Sequence, residues 1–127
     1  MAELRFRVNT ANRGASRIAD DGEIAVKSVN AMTFFRALDR VDLMKIDVEG
    51  HEAPIFRAAE GELARLKPRA IVFEETGIGA APDQEIGMIL RRLGYKIFGI
   101  KKKLLKTTLY PIKGAADCAV NDYLAVI

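Results

Sequence analysis

Residues 41–52 read VDLMKIDVEGHE, and this stretch is the most informative part of the sequence for the fold. Its first part predicts a buried strand over Val41–Asp47 that ends in an acidic turn. The prediction follows from four apolar positions within seven residues: Val41, Leu43, Met44 and Ile46.

A helix and a second strand follow this stretch. Glu52–Leu66 is predicted to be helical, and Pro68 lies just beyond and cannot extend it. One apolar stripe recurs along it with a period of 3.6 residues: Ile55, Ala59, Leu63 and Leu66. Ala70–Glu74 (AIVFE) is a short apolar strand. A strand, a helix and a strand within about 35 residues predict a parallel βαβ unit with a right-handed crossover.

The rest of the chain alternates between the same two periodicities, which indicates one α/β domain over residues 1–127. Upstream, the pattern predicts strands at Leu4–Val8 and Ile24–Val29, a turn at Asn12–Gly14 and a helix over 31–38. Downstream, it predicts a loop at Thr76–Pro82, an N-cap at Asp83 and a helix stopped by Gly94. Then come a strand at Tyr95–Ile100, its hairpin partner at Leu104–Tyr110, irregular chain over Pro111–Val120 and a last strand at Tyr123–Ile127.

Composition excludes several classes of protein. Half of the 127 residues are hydrophobic and 29% are charged, so the chain can form a packed core. No apolar run approaches the roughly 20 residues of a membrane helix, and the charged first twenty residues do not resemble a secretory signal. Cys118 is the only cysteine, which excludes an internal disulfide and a cysteine-based zinc cluster. A reducing, cytoplasmic location is expected.

One dense basic stretch stands out in a chain of net charge +3: Lys101, Lys102, Lys103 and Lys106. Lysines of this kind commonly protect an edge strand from pairing with other chains, and that interpretation is favoured. A nucleic-acid or membrane footprint could look similar. No aromatic side chain is interleaved to stack on bases, so neither nucleic acid nor membrane is expected as a partner.

Acidic groups cluster where the predicted 41–47 strand meets its helix. Ligands of open α/β sheets bind beyond the carboxyl ends of the strands. Asp47, Glu49, His51 and Glu52 therefore lie where a site is expected, and Glu74 and Glu75 end the next strand. His51 is the only histidine, and its ordinary pKa suits proton transfer near neutral pH.

Structural roles and a metal site are alternative explanations. Acidic residues at a helix start stabilise its dipole, which could account for Glu49 and Glu52, and Asp47 could cap the turn. Carboxylates with one histidine could also hold a divalent cation, although no recognised metal-ligand spacing is present. The chain has no Walker A sequence, no G-x-G-x-x-G and no G-x-S-x-G elbow.

The stretch over 41–52 resembles the central signature of FkbM-type methyltransferases, in which a strand ending in K-I-D-V-E-G-x-E leads into a helix. Eight positions match this signature: Asp42, Lys45, Ile46, Asp47, Val48, Glu49, Gly50 and Glu52. Weaker likenesses extend over about 4–127, with the specific part at 41–75. They include Asn12–Ser16, Ala58-Ala59, Lys67-Pro68-Arg69, Ile71–Glu74 and Leu93-Gly94-Tyr95.

This resemblance implies a class I methyltransferase fold, which is a Rossmann-like, doubly wound, mostly parallel sheet with a C-terminal antiparallel hairpin. It implies methyl transfer from S-adenosylmethionine, usually to an oxygen of a small-molecule or glycan-like acceptor. Asp47 and Glu49 become the first candidates for catalysis, with His51 at the variable position of the signature. Glu52, Glu74 and Glu75 become candidates for substrate binding, and Glu52 is also expected to support the architecture together with Lys45.

The chain departs from the family pattern at its start. No glycine-rich strand–loop–helix and no acidic strand end of the kind that holds S-adenosylmethionine precede Leu4. We therefore expect a partial domain without the N-terminal cofactor-binding half, no cofactor-binding residue of its own and an open edge beside the 41–47 strand. Two hypotheses follow: a methyltransferase that is incomplete as this chain, and a non-catalytic binding or assembly module that forms a homodimer through that edge.

Overall fold

The computed structural model describes residues 2–12 and 16–127. Its strands are β1 (Ala2–Arg7), β2 (Arg17–Ile18), β3 (Ile24–Ser28), β4 (Leu43–Ile46), β5 (Ala70–Glu74), β6 (Lys96–Lys103), β7 (Lys106–Pro111) and β8 (Asp122–Val126). Its α-helices are α1 (Ala31–Arg36), α2 (Glu52–Leu66) and α3 (Glu85–Arg92), with a 3₁₀ turn at Ala115–Asp117. Of the predicted turn at Asn12–Gly14, all but Asn12 lies outside the described residues.

The strands form two sheets. A small antiparallel sheet has the order β2-β1-β3, and a five-stranded sheet has the order β4-β5-β8-β6-β7. In the larger sheet β4 and β5 are parallel, as the βαβ pattern predicts. β8 lies between β5 and β6 and is antiparallel to both, and β7 is antiparallel to β6.

This topology confirms the α/β class and the hairpin but not the predicted mostly parallel sheet. β4, β5 and β6 run in the same direction, yet only one pair of neighbours is parallel because β8 separates β5 from β6 in the opposite direction. The physical reason is local. The tight β6–β7 hairpin reverses the chain, and β8 keeps the direction of β7, because both strands are antiparallel to β6.

The core lies between the larger sheet and the helices. The buried side chains of neighbouring strands line up in register, with Met44 beside Ile71 and Ile46 beside Phe73. Phe56 of α2 packs edge-on against Phe73, and the ring of Phe73 stacks on Tyr123 of β8. The helices lie side by side, with α1 against α2 and α2 against α3.

The sequence locates α2 and β5 at their observed bounds, but one local prediction is wrong. The N-cap of α3 is Gln84 instead of Asp83, and it makes no side-chain capping bond. The predicted stripe of α2 faces the core, with Ala59 and Leu63 buried and Ile55 and Leu66 half-buried against it, and Phe56 is buried as well. None of the helices in the described ranges is long and apolar enough to cross a membrane.

Candidate functional site

A sharp turn joins β4 to α2 at the carboxyl edge of the sheet. Glu49 (φ 50°) and Gly50 (φ 93°) are consecutive residues with left-handed backbone, a conformation that costs a non-glycine residue about 1 kcal/mol or more. The side chain of Glu52 holds this turn. Its two carboxylate oxygens accept hydrogen bonds from the backbone N–H groups of Val48 (2.9 Å) and Gly50 (3.0 Å).

Glu52 therefore has the geometry of an architectural residue. It is only 3% exposed, and both oxygens already bind backbone donors of its own turn. Buried carboxylates need such partners because desolvation of an unpaired charge is costly. These contacts agree with the expected role of Glu52 in supporting the turn between β4 and α2. They do not test its predicted role in substrate binding.

Asp47 lies directly after β4 and forms an ion pair. Its Oδ2 atom is 2.7 Å from Nζ of Lys45, which leaves the same strand two residues earlier. The hydrogen bond from Lys45 lowers the pKa of Asp47, and a hydrogen bond with Glu74 lowers it further. Asp47 is thus a stable carboxylate at neutral pH and a weak proton acceptor.

Glu74 is the last residue of β5, and its pKa is shifted in the opposite direction to that of Asp47. Burial raises the pKa of Glu74, and the negative charges of Asp47, Asp122 and Glu49 raise it further. Asp122 is its register partner on β8 and is itself bound by Nζ of Lys102 at 2.7 Å. Two adjacent carboxyls whose environments move their pKa values in opposite directions are typical of acid–base sites.

Glu75 fixes the loop that follows β5. Its backbone N–H donates to the carbonyl of Asn121 (2.8 Å), and its Oε1 accepts from the N–H of Gly77 (3.0 Å). A Cβ atom at Gly79 would lie only 2.8 Å from the Glu75 carboxyl carbon, so the loop folds closely over this side chain. Glu75 thus holds one wall of the site.

A polar cavity of about 370 Å³ opens between these elements. Four of the predicted site residues line it together with three others: Glu49, Glu52, Glu74 and Glu75, with Arg17, Gly50 and Thr76. Asp47 lines two neighbouring cavities instead, one of about 580 Å³ beside β4 and one of about 520 Å³ under the small sheet. The predicted acidic residues therefore lie close together at the carboxyl edge and line neighbouring cavities.

His51 does not line the cavities that the acidic residues form. It is the N-cap residue of α2 but makes no side-chain capping bond. Its buried Nδ1 atom has no hydrogen-bond partner, and it is not among the residues that line the three cavities at this edge. Its predicted catalytic role stays a prediction without geometric support.

Arg17 is the site residue that the sequence did not reveal. It lies on β2, a two-residue strand far from the acidic cluster in sequence, and reaches the cavity because β2 pairs with β1 in the small sheet. A basic residue in so short a strand has no local signal that would mark it. For metal binding, the described ranges contain no group of three or more histidine, cysteine or acidic side chains arranged around an ion.

Comparison with known proteins supports the signature found in the sequence. A family model described as the methyltransferase FkbM domain matches residues 5–97, which is more than half of the chain. The match runs from within β1 to the start of β6 and includes Arg17 and all six predicted site residues. No curated protein and no solved structure shows a significant match. The chain belongs to the FkbM methyltransferase family.

Proposed function

We propose that the carboxyl edge of the sheet is the acceptor side of an O-methyltransferase that uses S-adenosylmethionine. The family makes the chain a methyltransferase domain in general and implies dependence on that donor. The acceptor in this proposal is a hydroxyl group of a small molecule or glycan. The observation that carries it is the position of Glu74 in the wall of the 370 Å³ cavity, close to Asp47, with the pKa of Glu74 raised and that of Asp47 lowered.

Glu74 is the proton acceptor in this proposal. An attacking hydroxyl must lose its proton as its oxygen gains the methyl group, and a carboxylate of raised pKa accepts that proton more readily than an ordinary one. Glu74 also lines the 370 Å³ cavity, so a hydroxyl bound there can reach its carboxylate. The sequence assigned Glu74 to substrate binding, and the electrostatics favour a catalytic role.

Asp47 and Glu49 support that proton transfer. Asp47 keeps its charge because Lys45 binds it, and this charge is one of the causes that raise the pKa of Glu74. Asp47 is therefore a positioning residue in the proposal. Glu49 contributes a carboxylate to the cavity wall, where it can accept a hydrogen bond from a second hydroxyl of a polyhydroxylated acceptor.

The donor fits the described residues only in part. S-adenosylmethionine carries a sulfonium cation, and the acidic side chains at this edge suit a positive charge. The glycines at the edge do not form a backbone cradle for it. A Cβ atom at Gly50 would meet no other atom within 4 Å, whereas a Cβ atom at Gly79 would collide with the side chain of Glu75. The residues therefore favour the charged methyl donor without forming a complete site for the rest of the molecule.

Methyl transfer to defined acceptors tests this function. The purified protein is incubated with a large excess of S-adenosylmethionine, because an incomplete donor site binds it weakly, and with a panel of methyl glycosides and small alcohols; methylated products are identified by mass spectrometry. We expect Glu74→Gln to lower product formation by about 100-fold or more, because general-base catalysis contributes a factor of this order.

Glu60→Gln is the matched control, because Glu60 lies on α2 in an exposed ion pair with Arg92, away from the cavity. It should leave product formation unchanged. Full activity of the Glu74→Gln variant, or equal losses in both variants, would disprove the assignment of Glu74 as the base.

A second candidate function, assembly through the edge of β4, rests on a separate observation. β4 ends the five-stranded sheet, and Leu43 on this strand is 67% exposed. The apolar side chains of Val29 and Phe34 are also exposed and line the 580 Å³ cavity beside it. An open strand edge next to apolar surface favours pairing with another chain, and a homodimer is the partner proposed here.

A further inference from the structure

The hairpin of β6 and β7 extends beyond the rest of the sheet. β8 pairs with β6 only over Lys96–Gly99, whereas β7 pairs with β6 as far as Lys103. Every residue over 101–109 is exposed. The end of the hairpin is thus a two-stranded ribbon that projects roughly 10 Å past the sheet, at about 3.3 Å per residue.

Two leucines form the tip of this ribbon. Leu104 and Leu105 are 98% and 96% exposed, whereas Leu43 is the next most exposed large apolar side chain of the described residues at 67%. Turns at the surface are usually built from Gly, Asn, Asp, Pro or Ser. Neither leucine has a positive φ angle or a packing contact that would explain its presence in this turn. Their apolar surface is therefore available to a partner.

Lysines surround this apolar tip. Lys103 and Lys106 face each other across the turn, and Lys101 lies two residues below. None of these three lysines forms an ion pair with the described part of the chain, whereas Lys102 is held by Asp122. An apolar tip with free cations on its flanks is complementary to a surface that has an apolar interior and an anionic outer layer.

We propose that the β6–β7 hairpin docks the protein onto an anionic lipid surface. Leu104 and Leu105 enter the boundary between headgroups and acyl chains, and Lys101, Lys103 and Lys106 contact the negatively charged headgroups. A nucleic acid would use the same charges, but the ribbon carries no aromatic side chain for base stacking and its leucines would stay in water. This proposal departs from two expectations from the sequence, which favoured protection of an edge strand by the lysines and no membrane as a partner.

The topology also fixes which side of the protein would face the lipid. β6 and β5 are both antiparallel to β8, so β6 ends at the same edge of the sheet as Glu74. The ion pair of Lys102 with Asp122, the register partner of Glu74, ties the ribbon to that edge. Docking through the leucines would therefore place the acidic edge on the lipid-facing side, with the length of the projecting ribbon between its carboxylates and the anionic headgroups.

Binding to vesicles tests the proposal directly. The protein is sedimented with vesicles of phosphatidylcholine alone and of an equimolar mixture of phosphatidylcholine and phosphatidylserine. We expect binding to the mixed vesicles only, weakened by added salt. Leu104→Ser with Leu105→Ser should reduce it at least about tenfold, because two leucines lose their apolar burial.

A tryptophan at the tip gives an independent readout. The chain contains no tryptophan, so Leu104→Trp introduces a single fluorophore whose emission shifts to the blue when it enters lipid. Met88→Trp on the exposed face of α3 is the matched control and should not shift. Circular dichroism verifies that each variant is folded.

Three results would overturn the proposal. They are an unshifted emission of the Leu104→Trp variant with mixed vesicles, equal vesicle binding by the wild type and the double serine variant, and preferential binding to single-stranded RNA over mixed vesicles.

Discussion

Glu74 and Asp47 show what single residues contribute to the proposed site. The sequence places both at strand ends, but it cannot show that they share a hydrogen bond, because that depends on the pairing of β4 with β5. It likewise cannot show that burial and three other carboxylates raise the pKa of Glu74. The sequence therefore predicts which acidic residues lie at this edge, but not that the pKa values of Asp47 and Glu74 shift in opposite directions.

Titration of Glu74 tests this coupling. We expect the Glu74 carboxyl, followed by carbon NMR, to titrate above its ordinary value of 4.5 in the folded protein. Asp47→Asn should lower that pKa, because it removes one neighbouring negative charge. Asp42→Asn, which alters the exposed pair with Arg40, should leave it unchanged. A Glu74 pKa that does not respond to Asp47→Asn would show that the two groups are not coupled.

The same pKa has a consequence for stability. Because the folded-state pKa of Glu74 lies above the unfolded value, the folded protein binds this proton more tightly. The contribution of Glu74 to stability is therefore complete below the unfolded pKa and is lost as pH rises through the folded one. Thermal denaturation should show that Glu74→Gln is less sensitive to pH in this window than the wild type, and an identical pH dependence of both would contradict the raised pKa.

Glu52 makes a separate prediction at the level of a single side chain. Glu52→Ala removes both hydrogen bonds that hold the turn after β4 and should lower the free energy of unfolding by about 3 kcal/mol. Glu60→Ala, which breaks only an exposed ion pair, should cost less than about 1 kcal/mol. Urea denaturation measures both, and equal costs would mean that Glu52 does not support the turn.

At the scale of elements, periodicity predicted the three α-helices and every strand except β2, together with the parallel β4–β5 pair and the β6–β7 hairpin, but not the position of β8. The stripe along α2 and the apolar run of β5 are local signals, and both elements begin and end where predicted. The direction and position of β8 depend on pairing with β5 and β6, which no local pattern encodes. The start of α3 was misplaced because Asp83 has the chemistry of an N-cap but lies one residue too early.

Two helical glycines give a matched test of element packing. Gly87 of α3 packs on the loop after β5, and a Cβ there would lie 1.8 Å from the carbonyl oxygen of Ala81. Gly87→Ala should therefore lower the free energy of unfolding by about 1–3 kcal/mol. Gly61 of α2 has no atom within 4 Å of such a Cβ, so Gly61→Ala should raise stability by about 1 kcal/mol. If urea denaturation showed that both substitutions change the free energy of unfolding in the same direction, this packing would be contradicted.

At the scale of the whole molecule, two sheets and a helical layer meet at the acidic edge. Arg17 comes from the small sheet, whereas the carboxylates come from the end of β5, the start of α2 and the adjoining turns, so both parts of the fold form the cavity. The described residues at this edge favour the sulfonium charge without forming a complete donor site, so we expect this chain to bind S-adenosylmethionine only weakly. Isothermal titration with S-adenosylmethionine tests it, since micromolar binding by this chain would refute it.

The open edge of β4 predicts self-association. We expect the wild type to form dimers with increasing concentration in sedimentation velocity experiments, because β4 has an unpaired edge and an exposed Leu43. Leu43→Lys should shift the protein to monomers, since charged side chains block edge pairing. Met88→Lys on α3 serves as the control and should not. A wild type that stays monomeric, or a Leu43→Lys variant that still dimerises, would rule out this edge as the interface.

In the proposed function, the carboxyl edge of the larger sheet binds the acceptor. Amide chemical-shift mapping of the nitrogen-labelled protein during titration with methyl glycosides tests this binding without the need for turnover. We expect the largest shift changes on the turn over 47–52 and on Glu74, Glu75 and Thr76. Changes centred elsewhere, or none at this edge at any glycoside concentration, would contradict it.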